Sequence, residues 1–598
     1  MRHFEPTLHL FLIATLVLVA FSVPFHYIPI GSFAEEFIAG YAAVLGAVVS
    51  WAFMPKRRMV SSAAVLWLVW GVVLTISFTV NEYSLRASGL WVLIYWFVGL
   101  ASIVWFSRLS TLFSEQKLVT ALAAIFAILL VLQALLGVAK FYGMLRVYGI
   151  DEAGSSRLPG LINQYNLTAS AVMIGAISVI YLNIRGLVGT FFTGVLLYFA
   201  AVTEILTDTR SVILYIAVVL ITLAMSWSNS RGDESVARKF KVLGLTITAS
   251  VVLAFGSIGA IDSAMRYAGP TELARPGVDQ AASTRDFSDL GIRLAEAKKI
   301  AAGIGDHAIF GVGPDNYSSY SYQWDDLITD GRHPGMLPTH SHNIFTMVFA
   351  EEGLLGLLVL AAAIIFTTYF VLKSPKTAEW FWKASLLGVI FVYSNVEYPL
   401  WYLQYLVVFL GVVSLVLPGL KFNLTSRSIS VSTSVATLVV MFGLGYNLIN
   451  GYWALIHAGG KDVWDAETIR DVRAWQSDSL LGPYAELLIY QRILPDEGAY
   501  DRDLERVDKM SHWRPHNLVQ ARKIELLVLK GESEKACKVA TKAIRIFPSV
   551  YVKLKADLPL IHQYRQVDVS GVEECIERIY GKMHVNADIE AENVPGNS

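Results

Sequence analysis

Two histidines at the start of an apolar stretch are the residues of this chain best placed to do chemistry. His340 and His342 lie in Thr-His-Ser-His-Asn, where a long polar segment runs into a helix-like apolar run. An imidazole titrates near neutral pH, so it can take a proton from an attacking hydroxyl. Their spacing does not fit helical i, i+4 metal ligands, and no third ligand has a standard spacing, so the pattern disfavours zinc. Simple capping of the helix that follows is the alternative.

A polar turn earlier in the chain could bind a ligand through an arginine and amides. Arg157 opens a Pro-Gly turn that is followed by Asn163, Gln164 and Asn166. These side chains suit hydrogen bonding to a substrate. They equally suit capping of the next helix, because an asparagine there can accept from free N–H groups.

Two further arginines are candidates for binding an anion. Arg210 lies between two apolar runs, so it either pairs with Asp208 or offers its planar fork to an anionic ligand; snorkelling is the third alternative. Arg293 begins a segment whose apolar residues recur at helical spacing, which predicts an amphipathic helix along the membrane surface. A cation together with the free N–H groups of a helix start attracts phosphate. Lys298 and Lys299 are expected to be solvated.

Carboxylates at the edges of apolar runs complete the set. Glu352 lies roughly 15 Å along a straight helix from His342, at a rise of ~1.5 Å per residue, so we expect it to orient another group, such as an arginine. Glu397, followed by Tyr398, is a second boundary carboxylate. Charged groups at membrane depth usually face a site or a water-filled cavity. Together these residues predict a site in which arginines hold a diphosphate and a histidine deprotonates an alcohol.

The composition is that of a membrane protein. The chain has 598 residues, of which 55% are hydrophobic and 16% charged. About thirteen apolar runs, each near the ~20 residues that a bilayer requires, recur between residues 7 and 453. The net charge of −1 says nothing about a nucleic-acid partner, and no basic, aromatic-rich patch argues for one. The fold class predicted is an all-α polytopic membrane protein of about 12–13 transmembrane helices.

Basic residues in the short loops predict the orientation. They fall on one side of the thirteen runs, and that side is expected to be cytoplasmic. These basic segments are Lys56-Arg57-Arg58, Arg185, the group Arg231, Arg238, Lys239 and Lys241, the pair Lys373 and Lys376, and the pair Lys421 and Arg427. The segments that carry the candidate site then lie on the opposite face. The domains predicted are amino-terminal transmembrane helices over 1–262, a large loop with active-site residues over 263–342, further transmembrane helices over 343–455, and a helical domain over 456–598.

The tail has the period of a helical repeat. Two amphipathic patterns between 513 and 548 are separated by Gly531, as in a tetratricopeptide-like unit, and neighbouring helices from about 466 to 582 would complete a small α-solenoid. A plain helical hairpin is the alternative. Cys537 and Cys575 either form a disulfide, if the tail faces an oxidising compartment, or remain two buried thiols.

The order and membrane placement of these fragments are shared with a known family. They are Arg157…Gly160…Asn163-Gln164-x-Asn166, Thr209-Arg210-Ser211, Arg293 leading to Phe310-Gly-Val-Gly-Pro, His340-Ser-His342-Asn343, Glu352-Gly-x-x-Gly356 and Glu397-Tyr398-Pro-Leu-Trp-Tyr402. Over residues 5–450 the chain resembles the bacterial O-antigen ligase superfamily. With its long helical tail it is most similar to the protein O-oligosaccharyltransferase branch, the pilin glycosylation ligases.

The resemblance implies a GT-C-like glycosyltransferase of the bacterial inner membrane, with its site and tail in the periplasm. The donor would be an undecaprenyl-diphosphate-linked glycan, and no metal, nucleotide or other cofactor would be required. Arg210 and Arg293 would bind the diphosphate. His342 or His340 would activate a Ser or Thr hydroxyl of an acceptor protein such as a pilin, with inversion at the sugar. The substrate-binding residues implied are Arg86, Arg157, Asn163, Gln164, Asn166, Glu352, Glu397 and Tyr398.

Other functions remain open. A lipid A–core ligase or an O-antigen polymerase would use the same donor and differ only in the acceptor. The helical tail favours a protein acceptor, by analogy of fold. A transporter or flippase of lipid-linked sugar is a different class, and transporters often carry internal repeats that this chain lacks. A non-enzymatic membrane scaffold that presents the tail is the last alternative.

Overall fold

The protein is almost entirely helical. The computed structural model describes residues 4–27, 29–53, 57–81, 85–145, 157–229, 234–268, 291–325, 337–423, 427–477, 480–496 and 498–592. Within these ranges it has 22 helices and one two-stranded sheet. The prediction of an all-α polytopic membrane protein is confirmed.

A helix lies at each of the thirteen predicted membrane spans. Among the described residues, nine helices are long and apolar enough to cross a membrane, three more are shorter apolar helices, and the remaining one, Ala378–Ser394, has 17 residues. Their bounds are Phe4–Ala14 (α1, extended by a π turn to Val19), Phe33–Phe53 (α2), Ala63–Val80 (α3), Arg86–Leu112 (α4), Glu115–Leu132 (α5, continued to Phe141), Tyr165–Ile184 (α6), Thr190–Thr207 (α7), Val212–Asn229 (α8) and Glu234–Ala268 (α9). After two loop helices, Gly291–Gly303 (α10) and Tyr317–Gln323 (α11), the last four are Ile344–Lys373 (α12), Ala378–Ser394 (α13), Leu403–Val416 (α14) and Arg427–Gly459 (α15).

Two of the basic segments that were predicted to share a face do lie together. The strand Arg57–Ser61 (β1) pairs antiparallel with Gly419–Asn423 (β2), and Met59 lies opposite Lys421 in this ladder. The pairing joins the loop after α2 to the loop after α14. Which side of the membrane this face occupies stays a prediction.

The bundle is built around α6. Nearly every residue of this helix is buried, and it packs against α5, α7 and α13. Large buried rings such as Trp382 and Tyr405 fill the space around it. In contrast, only a small share of α12 is buried, so this helix stands partly away from the bundle.

Helix α12 is broken at membrane depth. Gly353 has φ 67° and ψ −159°, which interrupts the helical hydrogen bonds. The segment before α11 replaces them, because the Val312 N–H donates to the Ala350 carbonyl (2.8 Å) and the Leu354 N–H donates to the Ala308 carbonyl (2.8 Å). Irregular backbone inside a membrane protein is tolerated only where such partners satisfy it or where it lines a cavity. The loop is thereby built into the membrane domain.

The predicted helix after Arg293 is present as α10, but the prediction that Lys299 is solvated is wrong. Its ammonium group is 1% exposed and donates to Glu296 (2.8 Å), Asp325 (3.1 Å) and the Ser321 hydroxyl (3.0 Å). A buried cation requires such partners. This cluster fixes α10 against α11.

Seven helices lie in the described part of the tail. They are Ala466–Ala474 (α16), Gly482–Arg492 (α17), Tyr500–Trp513 (α18), Asn517–Leu529 (α19), Ser533–Ile546 (α20), Pro548–Arg565 (α21) and Ser570–Glu592 (α22). The predicted turn at Gly531 joins α19 to α20, and its φ of 75° is one that glycine adopts readily. A disulfide joins Cys537 of α20 to Cys575 of α22, so the alternative of two free thiols is wrong. The tetratricopeptide-like classification and the domain boundaries stay predictions.

Candidate active site

Four loops from one end of the bundle meet through a chain of hydrogen bonds. His342 Nδ1 lies 3.2 Å from Glu397 Oε2, and Glu397 Oε1 accepts from Asn166 Nδ2 at 2.9 Å. Asn166 Oδ1 accepts from the Thr209 hydroxyl (3.2 Å), whose oxygen in turn accepts from Arg157 Nη2 (3.3 Å). Residues from the sixth, seventh, twelfth and thirteenth helices or their flanking loops therefore form one connected site.

His342 is held in the orientation of a general base. A carboxylate only accepts hydrogen bonds, so the contact with Glu397 places the proton on Nδ1 and leaves Nε2 to accept one. The backbone of His342 has φ 57°, an uncommon conformation for a residue other than glycine. Such strain persists where the surrounding structure enforces it, and it clusters at functional sites.

His340 is placed differently, behind His342. It is 6% exposed, and its ring centroid lies 3.0 Å from that of Tyr398 and 4.4 Å from that of His342. Burial, followed by the nearby charge of His342, lowers the pKa of His340 to about 2. An imidazole with so low a pKa stays neutral and is a poor proton acceptor. Of the two histidines, the geometry favours His342 as the base.

Neither histidine caps α12, so that alternative is wrong. The N-cap residue is Asn343, whose side-chain oxygen accepts from the N–H groups of Phe345 and Thr346. Its amide also donates to the Asn395 side chain at 3.2 Å, which ties the start of α12 to the loop that carries Glu397.

Arg157 anchors the loop between α7 and α8. Its guanidinium donates to the carbonyls of Thr207 (2.9 Å) and Asp208 (2.8 Å), lies 4.0 Å from the Asp208 carboxylate and stacks 3.3 Å above the Tyr165 ring. The side chain is 8% exposed, so it is part of the frame of the site. That Arg157 also contacts substrate stays a prediction.

The two arginines predicted to bind a diphosphate lie at the same end of the bundle. Arg210 is half-buried and follows Thr209, which belongs to the hydrogen-bonded chain. Arg293 at the start of α10 is exposed, and its Nη2 donates to the carbonyl of Val396 at 2.9 Å, one residue before Glu397. Arg293 therefore lies beside the histidine–glutamate pair, and Arg210 is the residue next to Thr209 of the hydrogen-bonded chain.

The three amides after Arg157 have separate roles. Gln164 is the N-cap of α6, so the alternative that Asn166 caps this helix is wrong; Asn166 contacts Glu397 instead. Asn163, at φ 59°, accepts from Lys140 Nζ at 3.2 Å. Sequence reasoning missed Lys140, which is 1% exposed at the end of α5. A single lysine inside a long apolar run was the available signal.

Two other predicted residues do not join this cluster. Glu352 is buried at the break in α12, where it lines a large cavity, and it makes no hydrogen bond or ion pair with His342. Arg86 begins α4, but its side chain lies outside the described part of the structure.

Two adjoining cavities surround the site. The smaller one contains the histidines together with Glu397 and Tyr398. The larger one has a volume of about 1080 Å³ and runs between α12 and the rest of the bundle, with mostly apolar walls. Both cavities share the side chains of Ile344, Ser394, Leu400 and Trp401.

The tail contributes to the larger cavity, which sequence reasoning did not predict. Tyr484, Trp513 and Arg514 lie in its wall. Trp513 Nε1 donates to Asp315 Oδ2 (2.7 Å) and Arg514 Nη2 donates to Asp315 Oδ1 (3.1 Å). Asp315 belongs to the loop between α10 and α11, so this contact joins the tail to the loop.

Within the described ranges, no group of three or more His, Cys, Asp or Glu side chains is arranged to hold a metal ion. The independence from metal and cofactor stays a prediction. The site combines an imidazole oriented by a carboxylate, the neighbouring guanidinium group of Arg293, and an adjoining apolar cavity. This set suits group transfer between a hydroxyl and a lipid-linked phosphate ester.

Comparison with known families agrees with this chemistry. A family model described as O-antigen ligase matches residues 195–361, which include Arg210, Arg293 and both histidines. A second, described as virulence factor membrane-bound polymerase, C-terminal, matches residues 381–558. A search of the curated proteins found no significant match. The chain is a multi-pass membrane protein, and both matches support the O-antigen ligase superfamily, whose members are glycosyl-transferring ligases and polymerases.

Proposed function

We propose that this protein is an oligosaccharyltransferase that moves a glycan en bloc from undecaprenyl diphosphate to an acceptor hydroxyl, with inversion and without a metal. The observation that carries the proposal is the His342–Glu397 pair, with Arg293 beside it and Arg210 next to Thr209 of the same hydrogen-bonded chain.

The pair supplies the base for the reaction. The acceptor oxygen attacks the anomeric carbon while its proton passes to Nε2 of His342. Glu397 fixes the ring through Nδ1 and stabilises the imidazolium that forms. A positioned base of this kind typically contributes ~10²–10⁴-fold in rate.

The arginines stabilise the departing group. As the bond between the anomeric carbon and the diphosphate oxygen breaks, negative charge grows on the diphosphate. Guanidinium groups already aimed at that position can contribute roughly 3 kcal/mol each. Arg293 is fixed next to the base by the Val396 carbonyl, and Arg210 is fixed by the loop that Arg157 anchors.

The larger cavity supports a lipid-linked donor. Its apolar walls follow α12 from the histidine end toward the opposite end of the bundle, from Ile344 to Val371. Because α12 is loosely packed, a polyprenyl chain could enter sideways from the bilayer. The diphosphate would then lie at the polar end of the cavity, beside the smaller cavity with the base.

For the acceptor we propose a Ser or Thr hydroxyl of a periplasmic protein such as a pilin. The support is the helical tail, which packs on the loop next to the site and presents a large surface for a polypeptide. A second candidate is polymerisation of the glycan, which the match to a membrane-bound polymerase model favours. A lipid A–core acceptor uses the same base. All three place the site on the periplasmic face of the inner membrane.

Co-expression distinguishes the acceptors. The chain is produced in cells together with a lipid-linked glycan and a candidate pilin, and the mass of the pilin is measured by intact-protein mass spectrometry. A mass increase equal to the glycan, absent with His342→Ala, supports protein transfer. A ladder on the lipid carrier with an unmodified pilin would replace protein transfer by polymerisation. A glycan that appears only on lipid A–core would replace it by lipid ligation.

A further inference from the structure

The larger cavity has a single permanent cation among the described residues of its wall. That cation is Arg514 of the tail, and it lies at the polar end. The other ionisable groups there are carboxyl groups, on Glu36, Asp315, Glu351 and Glu352. Among the described charged side chains of this wall, only Arg514 attracts an anionic ligand.

Arg514 is held by contacts that it can exchange. Its Nη2 donates to Asp315 at 3.1 Å, and its guanidinium lies 4.6 Å from the centre of the Trp513 ring. The side chain is 37% exposed and that of Asp315 is 24% exposed. An ion pair this accessible to solvent is weak. Trp513 also donates to Asp315, so the aspartate keeps one partner if Arg514 leaves.

We propose that Arg514 binds the diphosphate of the lipid-linked donor, exchanging Asp315 for the ligand when the polyprenyl chain fills the cavity. The proposal rests on the proposed function, from which it takes the donor, and it adds a binding residue that the tail supplies. A guanidinium binds phosphate oxygens bidentately, and the diphosphate offers more charge and more acceptors than one carboxylate.

Arg514 and the base line two cavities that adjoin each other. The positive charge of Arg514 is among the causes that lower the pKa of His340, after burial and the charge of His342. The two cavities also share the side chains of Ile344 and Leu400. A donor whose chain lies in the larger cavity can therefore present its diphosphate to Arg514 and its first sugar to His342.

The acidic neighbours of Arg514 determine whether each substitution should tighten or weaken diphosphate binding. Glu351 already accepts from the Tyr317 N–H at 3.2 Å, whereas Asp315 competes directly with the ligand for Arg514. Removal of the charge of Asp315 should therefore tighten diphosphate binding. If the Arg514–Asp315 pair only stabilised the structure, loss of either partner would weaken diphosphate binding to a similar degree.

The test measures binding to the full chain in lipid nanodiscs. Undecaprenyl diphosphate is titrated, with undecaprenyl monophosphate and inorganic diphosphate as separate arms. The variants are Arg514→Ala, Arg514→Lys and Asp315→Asn. The matched controls are Arg473→Ala and Asp496→Asn, which remove a similarly exposed pair (2.6 Å) elsewhere in the tail. Melting temperatures verify that each variant is folded.

The expected result is that Arg514→Ala weakens binding of undecaprenyl diphosphate about tenfold or more, with a smaller effect on the monophosphate. Arg514→Lys is intermediate, Asp315→Asn binds more tightly than wild type, and both controls bind as wild type. Unchanged binding in Arg514→Ala would overturn the proposal, and so would equal losses in Arg514→Ala and Asp315→Asn. Equal affinity for inorganic diphosphate would show that the lipid is not the ligand.

Failure of this inference is distinct from failure of the proposed function. The binding assay involves no transfer, so it measures the contribution of Arg514 to donor binding even in a protein that carries His342→Ala. Retained transfer in His342→Ala would overturn the proposed base and leave the Arg514 result as measured. Normal donor binding in Arg514→Ala, together with inactive His342→Ala, would overturn only the inference about Arg514.

Discussion

The role of Glu397 yields the sharpest prediction. Glu397 joins two hydrogen bonds, from His342 Nδ1 at 3.2 Å and from Asn166 Nδ2 at 2.9 Å. In Glu397→Gln, the remaining oxygen can satisfy Asn166, but the new NH₂ group faces Nδ1. Two donors cannot face each other, so the ring changes tautomer and places its proton on Nε2. The nitrogen that should accept the acceptor's proton is then blocked.

The expected loss is large and confined to the chemical step. Loss of the correct tautomer of a histidine base lowers kcat by about 10²–10⁴-fold, which corresponds to about 3–5 kcal/mol of activation free energy. Glu397 does not bind the diphosphate in this scheme, so KM for the donor should stay within about threefold of wild type.

A single-turnover assay with purified protein, lipid-linked glycan and acceptor measures both quantities. Glu379→Gln is the matched control, because Glu379 lies at the other end of α13, where it accepts from Tyr181 (3.2 Å) and lies 3.7 Å from Arg185. That variant should transfer glycan as wild type does. A near-wild-type rate in Glu397→Gln would refute the assigned role, as would an equal loss in Glu379→Gln.

Two further substitutions and a disulfide reduction test the packing at the break in α12 and in the tail. Gly311→Ala places a Cβ against the Glu351 carbonyl at a residue with φ 69°. It should therefore lower stability by about 2 kcal/mol or more and abolish transfer. The control Gly305→Ala places its Cβ in open space, so thermal unfolding and activity should stay as in wild type. Burial raises the pKa of Glu525 from its ordinary 4.5 to about 7, despite the nearby Arg522. The protonated carboxyl therefore contributes roughly 3 kcal/mol to the free energy of unfolding below pH 4.5, and this contribution is lost as pH rises through 7. Glu525→Gln should flatten the dependence of the melting temperature on pH between 5 and 8, and an unchanged dependence would contradict this. Reduction of Cys537–Cys575, which are separated by 38 residues, should destabilise the tail by about 4 kcal/mol, as read by chemical denaturation with and without reductant; equal midpoints would contradict it.

The membrane helices were predictable because their signal is local. A run of about 20 apolar residues specifies a span without reference to the rest of the chain. The tail turn was predictable for the same reason, since Gly531 and Pro548 mark helix boundaries in sequence. Neither prediction required knowledge of which helices pack together.

The site was predictable in its residue types and not in its contacts. His342 and Glu397 were both candidates, but they lie 55 residues apart and meet only through the packing of α12 beside α13. The break at Gly353 depends on backbone hydrogen bonds from a segment about forty residues earlier, and the pattern of apolar residues carries no information about these bonds. Lys299 was misplaced because its buried partners, Glu296 and Asp325, come together only when α10 and α11 fold.

The tail's part in the site is the clearest case of a long-range contact. Arg514 and Asp315 are separated by 199 residues and belong to segments with no shared pattern. Sequence reasoning therefore described the tail as a second helical domain whose presence favours a protein acceptor, whereas the structure builds Trp513 and Arg514 into the cavity wall.

Single-turnover transfer by His342→Ala tests the central claim most directly. Purified variant and wild type are each mixed with a lipid-linked glycan and the acceptor that co-expression identifies, and the glycosylated product is followed by mass spectrometry. We predict no product above background from His342→Ala, with unaltered thermal unfolding and donor binding, and continued product from His340→Gln. Wild-type transfer by His342→Ala would contradict the claim that this imidazole takes the proton of the attacking hydroxyl.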